Sequence, residues 1–253
     1  MKRFQNKTVV ITGGSKGIGL ATATRFLDEG ANVVIAARSE TDLAAAAETL
    51  QAGDRLLTVS ADVAEVEDLK SLFKLANDKF GAIHSLFANA GSGASTILGD
   101  TTEASFDSIV NANIKGVYFS AQEALPFMAD GGSIIITSSL TQFQGNQAMS
   151  IYAATKAAVS QFTRSMTATL LPSRGIRVNA VSPGVIETGM TESVLDGVMH
   201  GRIEAQTPAG RLGRPEEVAA VVAFLASDDA GFVSAQDILV DGGRINTNLW
   251  HFD

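Results

Sequence analysis

Short runs of β-branched and aliphatic residues alternate along the chain with longer amphipathic stretches. Strands are predicted at 8–11, 32–37, 56–60, 84–88, 133–137, 176–181 and 238–240. Between them apolar positions recur with helical spacing and predict helices over 17–29, 41–50, 66–80, 103–128, 150–171 and 216–226. The fifth strand carries Ile134, Ile135 and Ile136 in succession. A run without polar alternation suits a strand covered on both faces, as in a parallel sheet. Strands alternating with helices indicate βαβ units, and no linker or internal repeat interrupts them. The expectation is an α/β chain: one domain over 1–253, a doubly wound parallel sheet with helices on both faces.

One stretch breaks the rhythm. Between Pro183 and Pro215 the character is mixed and glycine recurs at 184, 189, 197, 201, 210 and 213. Connections of that length in compact domains usually serve function. Residues 184–214 are therefore read as a mobile substrate lid with a short helix near 191–205.

Composition narrows the function classes. The 253 residues contain no Cys, which excludes disulfides, thiolate nucleophiles and Cys-ligated zinc. The 19 Lys and Arg against 27 Asp and Glu give a net charge of −8, opposite to a nucleic-acid footprint. Histidines at 84, 200 and 251 show no metal-ligand spacing; His84 reads as structural and His200 as able to face substrate. The longest charge-free run, 131–155, is too rich in Gly, Ser, Thr, Gln and Asn to span a membrane. A soluble cytoplasmic protein is expected.

Candidate chemistry begins at the first strand-to-helix turn, Thr12-Gly13-Gly14-Ser15-Lys16-Gly17-Ile18-Gly19. Glycines there let backbone N–H groups approach a pyrophosphate at a helix N-terminus. The spacing, G-x-x-x-G-x-G, is weak by itself; its place in an alternating fold favours dinucleotide binding over a ligand-free turn. The second strand ends Ala36-Ala37-Arg38-Ser39, with no carboxylate before Glu40. An acidic residue there suits the ribose 2′-OH of NAD, whereas an arginine fork suits a 2′-phosphate. With Lys16 as a second positive charge, Arg38 favours NADP(H) over NAD(H).

Tyr152 and Lys156 lie four apart on a predicted helix and so share a face. A phenol ionises near 10, but a neighbouring ammonium, helped by a cationic nicotinamide, favours the phenolate. Ser138 and Ser139 end the isoleucine-rich strand, where doubly wound sheets place their sites.

Taken together, Thr12 to Gly19, Asn89-Ala90-Gly91, Asn113, Ser139, Tyr152-x-x-x-Lys156, Pro183-Gly184 and Val240-Asp241-Gly242-Gly243 resemble the short-chain dehydrogenase/reductase family in its compact form. The resemblance spans nearly the whole chain and implies a Rossmann-like fold and NADP(H)-dependent interconversion of a carbonyl and a secondary alcohol. It implies that Tyr152 is the general acid or base and that Lys156 lowers its pKa and holds the nicotinamide ribose. Ser139 would hold the substrate oxygen, and Asn113, rather than Asn111, would support a water linking Lys156 to solvent. Cofactor contacts would come from Gly13, Ser15, Lys16, Gly17, Ile18, Gly19, Arg38, Tyr152 and Lys156. Asp62 and Val63 would lie at the adenine, and Asn89, Ala90 and Gly91 beside the cofactor. Pro183, Gly184, Ile186 and Thr188 would line the nicotinamide.

The substrate wall is expected from 92–98, 140–149 and the lid, with Gln142, Gln144, Asn146 and Gln147 beside Phe143 and Met149, and with Ile186, Met190, Val194 and Leu195 from the lid. That mixture leaves a polyol, a keto acid derivative, a cyclic ketone or an acyl thioester open. Relatives that reduce 3-oxoacyl groups on acyl carrier protein usually place basic residues at the end of the long central helix. Here that end reads Pro126-Phe127-Met128-Ala129-Asp130-Gly131, and Arg174 stands alone. A free small carbonyl or alcohol therefore ranks above carrier-protein chemistry. Relatives that act as non-catalytic cofactor sensors typically lack the Tyr or Lys, and both are present here. The family commonly pairs its two long helices across a homotetramer, and Ala153, Ala154, Ala157 and Ala158 permit close approach. The tail, with Trp250 and Phe252, could dock on a neighbouring subunit.

Overall fold

The computed structural model describes residues 2–93, 96–145, 147–192 and 195–247, without the side chains of Met190 and Glu192. Seven parallel strands form one sheet in the order β3-β2-β1-β4-β5-β6-β7. They are β1 (Thr8–Thr12), β2 (Asn32–Ala37), β3 (Leu56–Ser60), β4 (Ile83–Ala88), β5 (Met128–Thr137), β6 (Arg177–Pro183) and β7 (Asp237–Val240). The helices are α1 (Gly17–Asp28), α2 (Glu40–Leu50), α3 (Val66–Phe80), α4 (Glu103–Val110), α5 (Gly116–Ala124), α6 (Ser150–Arg174), α7 (Gly189–Glu192), α8 (Gly197–Ala205) and α9 (Pro215–Ala226).

Both faces of the sheet are covered, which accounts for the unbroken apolar runs. On one face Val10, Ile134 and Ile136 pack with Leu69, Leu72 and Phe73 of α3, Val117 of α5 and Val159 of α6. On the other, Val9, Ile11, Ile35 and Ile135 pack with Phe26 of α1, Leu43 of α2 and Val222 of α9. Ile134, Ile135 and Ile136 are all fully buried, each contributing about 1.5–3 kcal/mol. This is the expected Rossmann-like, doubly wound sheet in a single domain. Its strand order reverses between β1 and β4, the place where such sheets open a crevice.

The structure departs from the sequence reading in three places. The helix expected over 103–128 is not continuous. A π-helical turn, Asn111–Lys115, separates α4 from α5, and a short 3-10 turn containing Pro126 follows. Met128 already belongs to β5, which begins five residues earlier than expected. Hydrophobic periodicity does not sense the wide turn, because it reports which face is buried and not the local hydrogen-bond spacing. In the stretch read as a lid there are two helices, α7 and α8, the second capped by the Asp196 side chain accepting from Met199 N at 2.7 Å. Finally, α6 runs three residues further than expected, to Arg174, and stops at Gly175 in the left-handed region (φ 65°).

Candidate active site

The crevice begins with the glycine turn. Gly13 has φ 66°, and a Cβ there would lie 2.9 Å from the Cα of Ala90. A Cβ on Gly19 would lie 2.0 Å from the Gly13 carbonyl oxygen. The turn therefore packs backbone against backbone, which only glycine allows. Thr12 Oγ1 accepts from the N–H groups of Asn89 and Ala90, both at 3.1 Å. Asn89 Nδ2 donates to the carbonyls of Thr12 (3.2 Å) and Gly13 (3.1 Å), while Thr137 Oγ1 donates to Asn89 Oδ1 at 3.1 Å. Asn89-Ala90-Gly91 thus laces together the ends of β1, β4 and β5.

From this floor the crevice extends two ways. A cleft of about 500 Å³ is lined by Gly13, Lys16, Gly17, Ile18, Asn89, Ala90, Gly91, Ser92, Thr137, Tyr152, Lys156 and Thr188. A second, of about 450 Å³, shares Gly13, Lys16, Ala90 and Gly91 and reaches Ser15, Arg38, Ser39, Asp62 and Val63. The donor set fits a dinucleotide. The first turn of α1 has no side-chain cap and no acidic residue, so its N–H groups remain available to a phosphate. Arg38 is largely exposed at the far end, with Nη1 3.9 Å from Asp62 Oδ2, and Lys16 pairs with Asp42 at 2.8 Å.

The chemistry-bearing side chains converge at the other end. Lys156 is 3% exposed, and its Nζ donates to the Thr137 carbonyl at 2.8 Å while lying 5.5 Å from the centre of the Tyr152 ring. Burial pulls this ammonium down to about 8. The Tyr152 phenol hydrogen-bonds with the Ser139 side chain. Ser139 Oγ is held from behind by Thr141, accepting from its N–H at 3.2 Å and its hydroxyl at 3.0 Å. With both Thr141 donors on it, the serine proton is left for Tyr152 or a substrate oxygen.

Without the nicotinamide, burial dominates the phenol. Burial pushes its pKa above 10, and the Ser139 hydrogen bond offsets this only in part. Lys156 lies beneath the ring and donates a hydrogen bond to the Thr137 carbonyl. The form favoured here is the protonated one.

Other expected residues sit differently. Asn113 is fully buried on the π turn. Its Oδ1 accepts from Ser92 N at 2.7 Å, and its Nδ2 donates to Ser92 O at 2.9 Å and Thr155 Oγ1 at 3.1 Å. Both amide hydrogens are thus committed to protein groups, while the oxygen keeps a second lone pair. Asn111 lines the second cleft. Gly184 and Ile186 line a neighbouring cavity of about 250 Å³ with Asp241 and Gly242. Gly184 packs against Asp241, with its N–H donating to Val240 O at 2.9 Å, and the Ile186 side chain turns toward Gly213. Pro183, at the end of β6, lines none of these cavities, and of the four residues expected at the nicotinamide only Thr188 lies on the main cleft.

Gln142, expected in the substrate wall, turns inward to Ser138, Ser182 and Asp237. His84 Nδ1 accepts from Thr8 N at 3.1 Å, a structural role. His200 Nδ1 lies 3.5 Å from Glu204, one turn along α8. Asn146, Val194, Trp250, Phe252 and His251 lie outside the described residues. Thr137 and Thr155 were not singled out from sequence. Each lies beside a motif residue, and threonine at a strand end or in a helix carries no signal of its own.

Known proteins share this architecture. A family model described as enoyl-(acyl carrier protein) reductase matches residues 13–244. Oxidoreductase asL5 of Sarocladium schorii is 42% identical over 245 residues, covering 96% of this chain and 97% of its own. The 3-oxoacyl-[acyl-carrier-protein] reductase FabG of Thermotoga maritima is 36% identical over 246 residues, covering 96% and 99%. A crystal structure of a short-chain dehydrogenase/reductase, glucose/ribitol dehydrogenase, from Brucella melitensis superposes with a TM-score of 0.92 at 37% identity, covering 96% and 99%.

Proposed function

The chain belongs to the short-chain dehydrogenase/reductase family of oxidoreductases, and on that basis we propose that it interconverts a small free carbonyl compound and its secondary alcohol with NADP(H). The observation that carries this reading is the convergence of Ser139, Tyr152 and Lys156 at one end of a crevice whose other end presents Arg38. Bound in that crevice, the dinucleotide would supply or accept the hydride. Tyr152, kept protonated by burial, delivers its phenolic proton to the carbonyl oxygen during reduction and takes it back during oxidation. Ser139 Oγ–H holds the same oxygen and stabilises the charge that develops on it. Lys156, fixed by the Thr137 carbonyl, binds the ribose hydroxyls and supplies positive charge under the phenol ring. Arg38, with Lys16 nearby, receives the 2′-phosphate as a guanidinium fork. Residues 184–214 act as the lid over the substrate.

Reduction of 3-oxoacyl groups on a carrier protein is the second reading, favoured by the FabG relatives. Arg174 weighs against it. Its guanidinium donates to Asp130 Oδ1 at 2.8 Å and to the carbonyls of Leu125 (2.7 Å) and Met128 (2.5 Å). It is thus paired and not offered to an acidic partner. A homotetramer is proposed as well, supported by the large apolar side chains of Phe106 on α4 and Tyr118 on α5 that stand exposed in the single chain.

The test is a panel of free ketones against 3-oxoacyl-carrier substrates with NADPH, run on the wild type and Tyr152→Phe. Turnover of a free ketone that falls about a thousandfold in the variant, with cofactor affinity kept, is the expected result. An undiminished rate in Tyr152→Phe would end the mechanism. Turnover confined to carrier-bound substrates would transfer the assignment to the second reading.

A further inference from the structure

Behind Ser139 lies a polar array that the proposed reaction does not use. Gln142 sits on the 3-10 turn Leu140–Phe143 that Ser139 caps. Its Nε2 lies 2.8 Å from Ser138 Oγ, 2.9 Å from Ser182 Oγ and 2.6 Å from Asp237 Oδ2. Ser182 Oγ donates to Asp237 Oδ1 at 2.6 Å, and Ser138 Oγ donates to the Lys156 carbonyl at 2.9 Å. Ser138 and Ser182 are buried.

The donors and acceptors fix the direction of every bond. Each serine has one O–H, and both are committed, one to Asp237 and one to Lys156. Toward Gln142 the two serines can only accept, as can the carboxylate of Asp237, so its two N–H groups are shared among three acceptors. The Gln142 amide must therefore point its N–H₂ inward; turned over, its oxygen would face three acceptors. A carboxylate on β7 thereby reaches the backbone of the lysine on α6 through one glutamine and one serine. Ser139 stands between the two points gripped, Ser138 before it and the Gln142 turn after it.

We propose that Gln142 and Asp237 are positioning residues that hold Ser139 against the Tyr152 phenol by clamping the chain on both sides of it. This rests on the roles given above to Ser139 and Tyr152. The clamp acts through geometry and touches no substrate. Its loss lets the serine drift, which weakens the hydrogen bond that partly offsets the burial of the phenol.

The experiment measures alcohol oxidation against pH for the wild type, Gln142→Ala, Asp237→Asn, Ser139→Ala and the double variant Ser139→Ala/Gln142→Ala, with NADPH affinity followed by fluorescence. Gln142→Ala and Asp237→Asn are expected to lower kcat about tenfold and to displace the rising limb of the pH profile to higher pH, with NADPH affinity unchanged. Ser139→Ala moves the limb the same way, and adding Gln142→Ala to it changes nothing further, because both act through one hydroxyl. An unshifted limb, or a Gln142 effect of full size in the Ser139→Ala background, would overturn the proposal and leave a role in stability only. Asp237→Asn keeps the shape of the site and gives the answer should Gln142→Ala not fold. Tyr152→Phe separates the two levels. If it stays active, the parent reading fails and takes the clamp with it; if it is dead while both clamp variants match the wild type, the clamp alone fails.

Discussion

Asn113 and Ser92 are joined by a reciprocal pair of hydrogen bonds, amide oxygen to N–H at 2.7 Å and amide nitrogen to carbonyl at 2.9 Å. A side chain on the π turn thus completes the backbone of the loop that follows Gly91, and a third bond ties it to Thr155 on α6. Replacing it leaves a peptide N–H and C=O without partners in a partly buried place. Asn113→Ala is expected to cost about 2–4 kcal/mol in chemical denaturation. Turnover should fall with it, because Gly91 and Tyr152 flank the two ends of the link. A variant as stable and active as the wild type would contradict this account.

The proposed preference for NADP(H) rests on Arg38. No carboxylate precedes it on β2, and its guanidinium is loosely tethered, 3.9 Å from Asp62. Arg38→Ala should lower kcat/KM for NADPH about 10- to 100-fold, the worth of one charge-assisted fork, and leave the value for NADH within about twofold. Steady-state kinetics with both cofactors checks it.

Lys156 should be an unusually acidic lysine. Burial lowers it from 10.5 to about 8, so folding opposes its protonation. The penalty is fully present below pH 8 and is relieved as pH rises toward 10.5, where the unfolded lysine also loses its proton. Relative to Lys156→Met, the wild type should therefore gain stability across that window, by up to about 3 kcal/mol. Denaturation curves at pH 7, 8, 9 and 10 for the two proteins measure the trend, and a constant difference would refute it.

Glu217 contributes to stability on the acid side. It accepts from the Arg214 N–H at 2.8 Å at the start of α9 and takes both nitrogens of Arg211, at 2.8 and 2.6 Å. These partners hold its carboxyl down at about 2. Its contribution is complete above pH 4.5 and is lost as pH falls through 2. Glu217→Gln should cost about 1 kcal/mol at pH 7, the size of a capping interaction, and much less near pH 2. Thermal melts at the two pH values test the sign.

Much of the fold was legible in the chain because its causes are local. Ile134-Ile135-Ile136 announced a strand buried on both faces, and the glycine turn announced its own tight backbone, since a Cβ at Gly13 or Gly19 meets neighbouring main chain. Helix continuity through Asn111–Lys115 was not legible, because the apolar stripe persists while the hydrogen-bond spacing widens. Nor was the fate of Gln142, one of several polar residues in a charge-free stretch; its direction depends on Asp237, nearly a hundred positions away.

The sequence by itself determined the alternation of strands and helices, the crevice at the carboxyl ends of β1 and β4, and the spacing that puts Tyr152 and Lys156 on one face of α6. These follow from periodicity and from the positions of glycine, which act over a few residues. Tertiary structure alone decided the electrostatic state of the site. Burial raises the phenol and lowers the ammonium, and both shifts depend on what the rest of the chain packs around them. It also decided that Asn113 and Gln142 serve as braces, since a polar side chain taken out of water takes its direction from the partners that surround it.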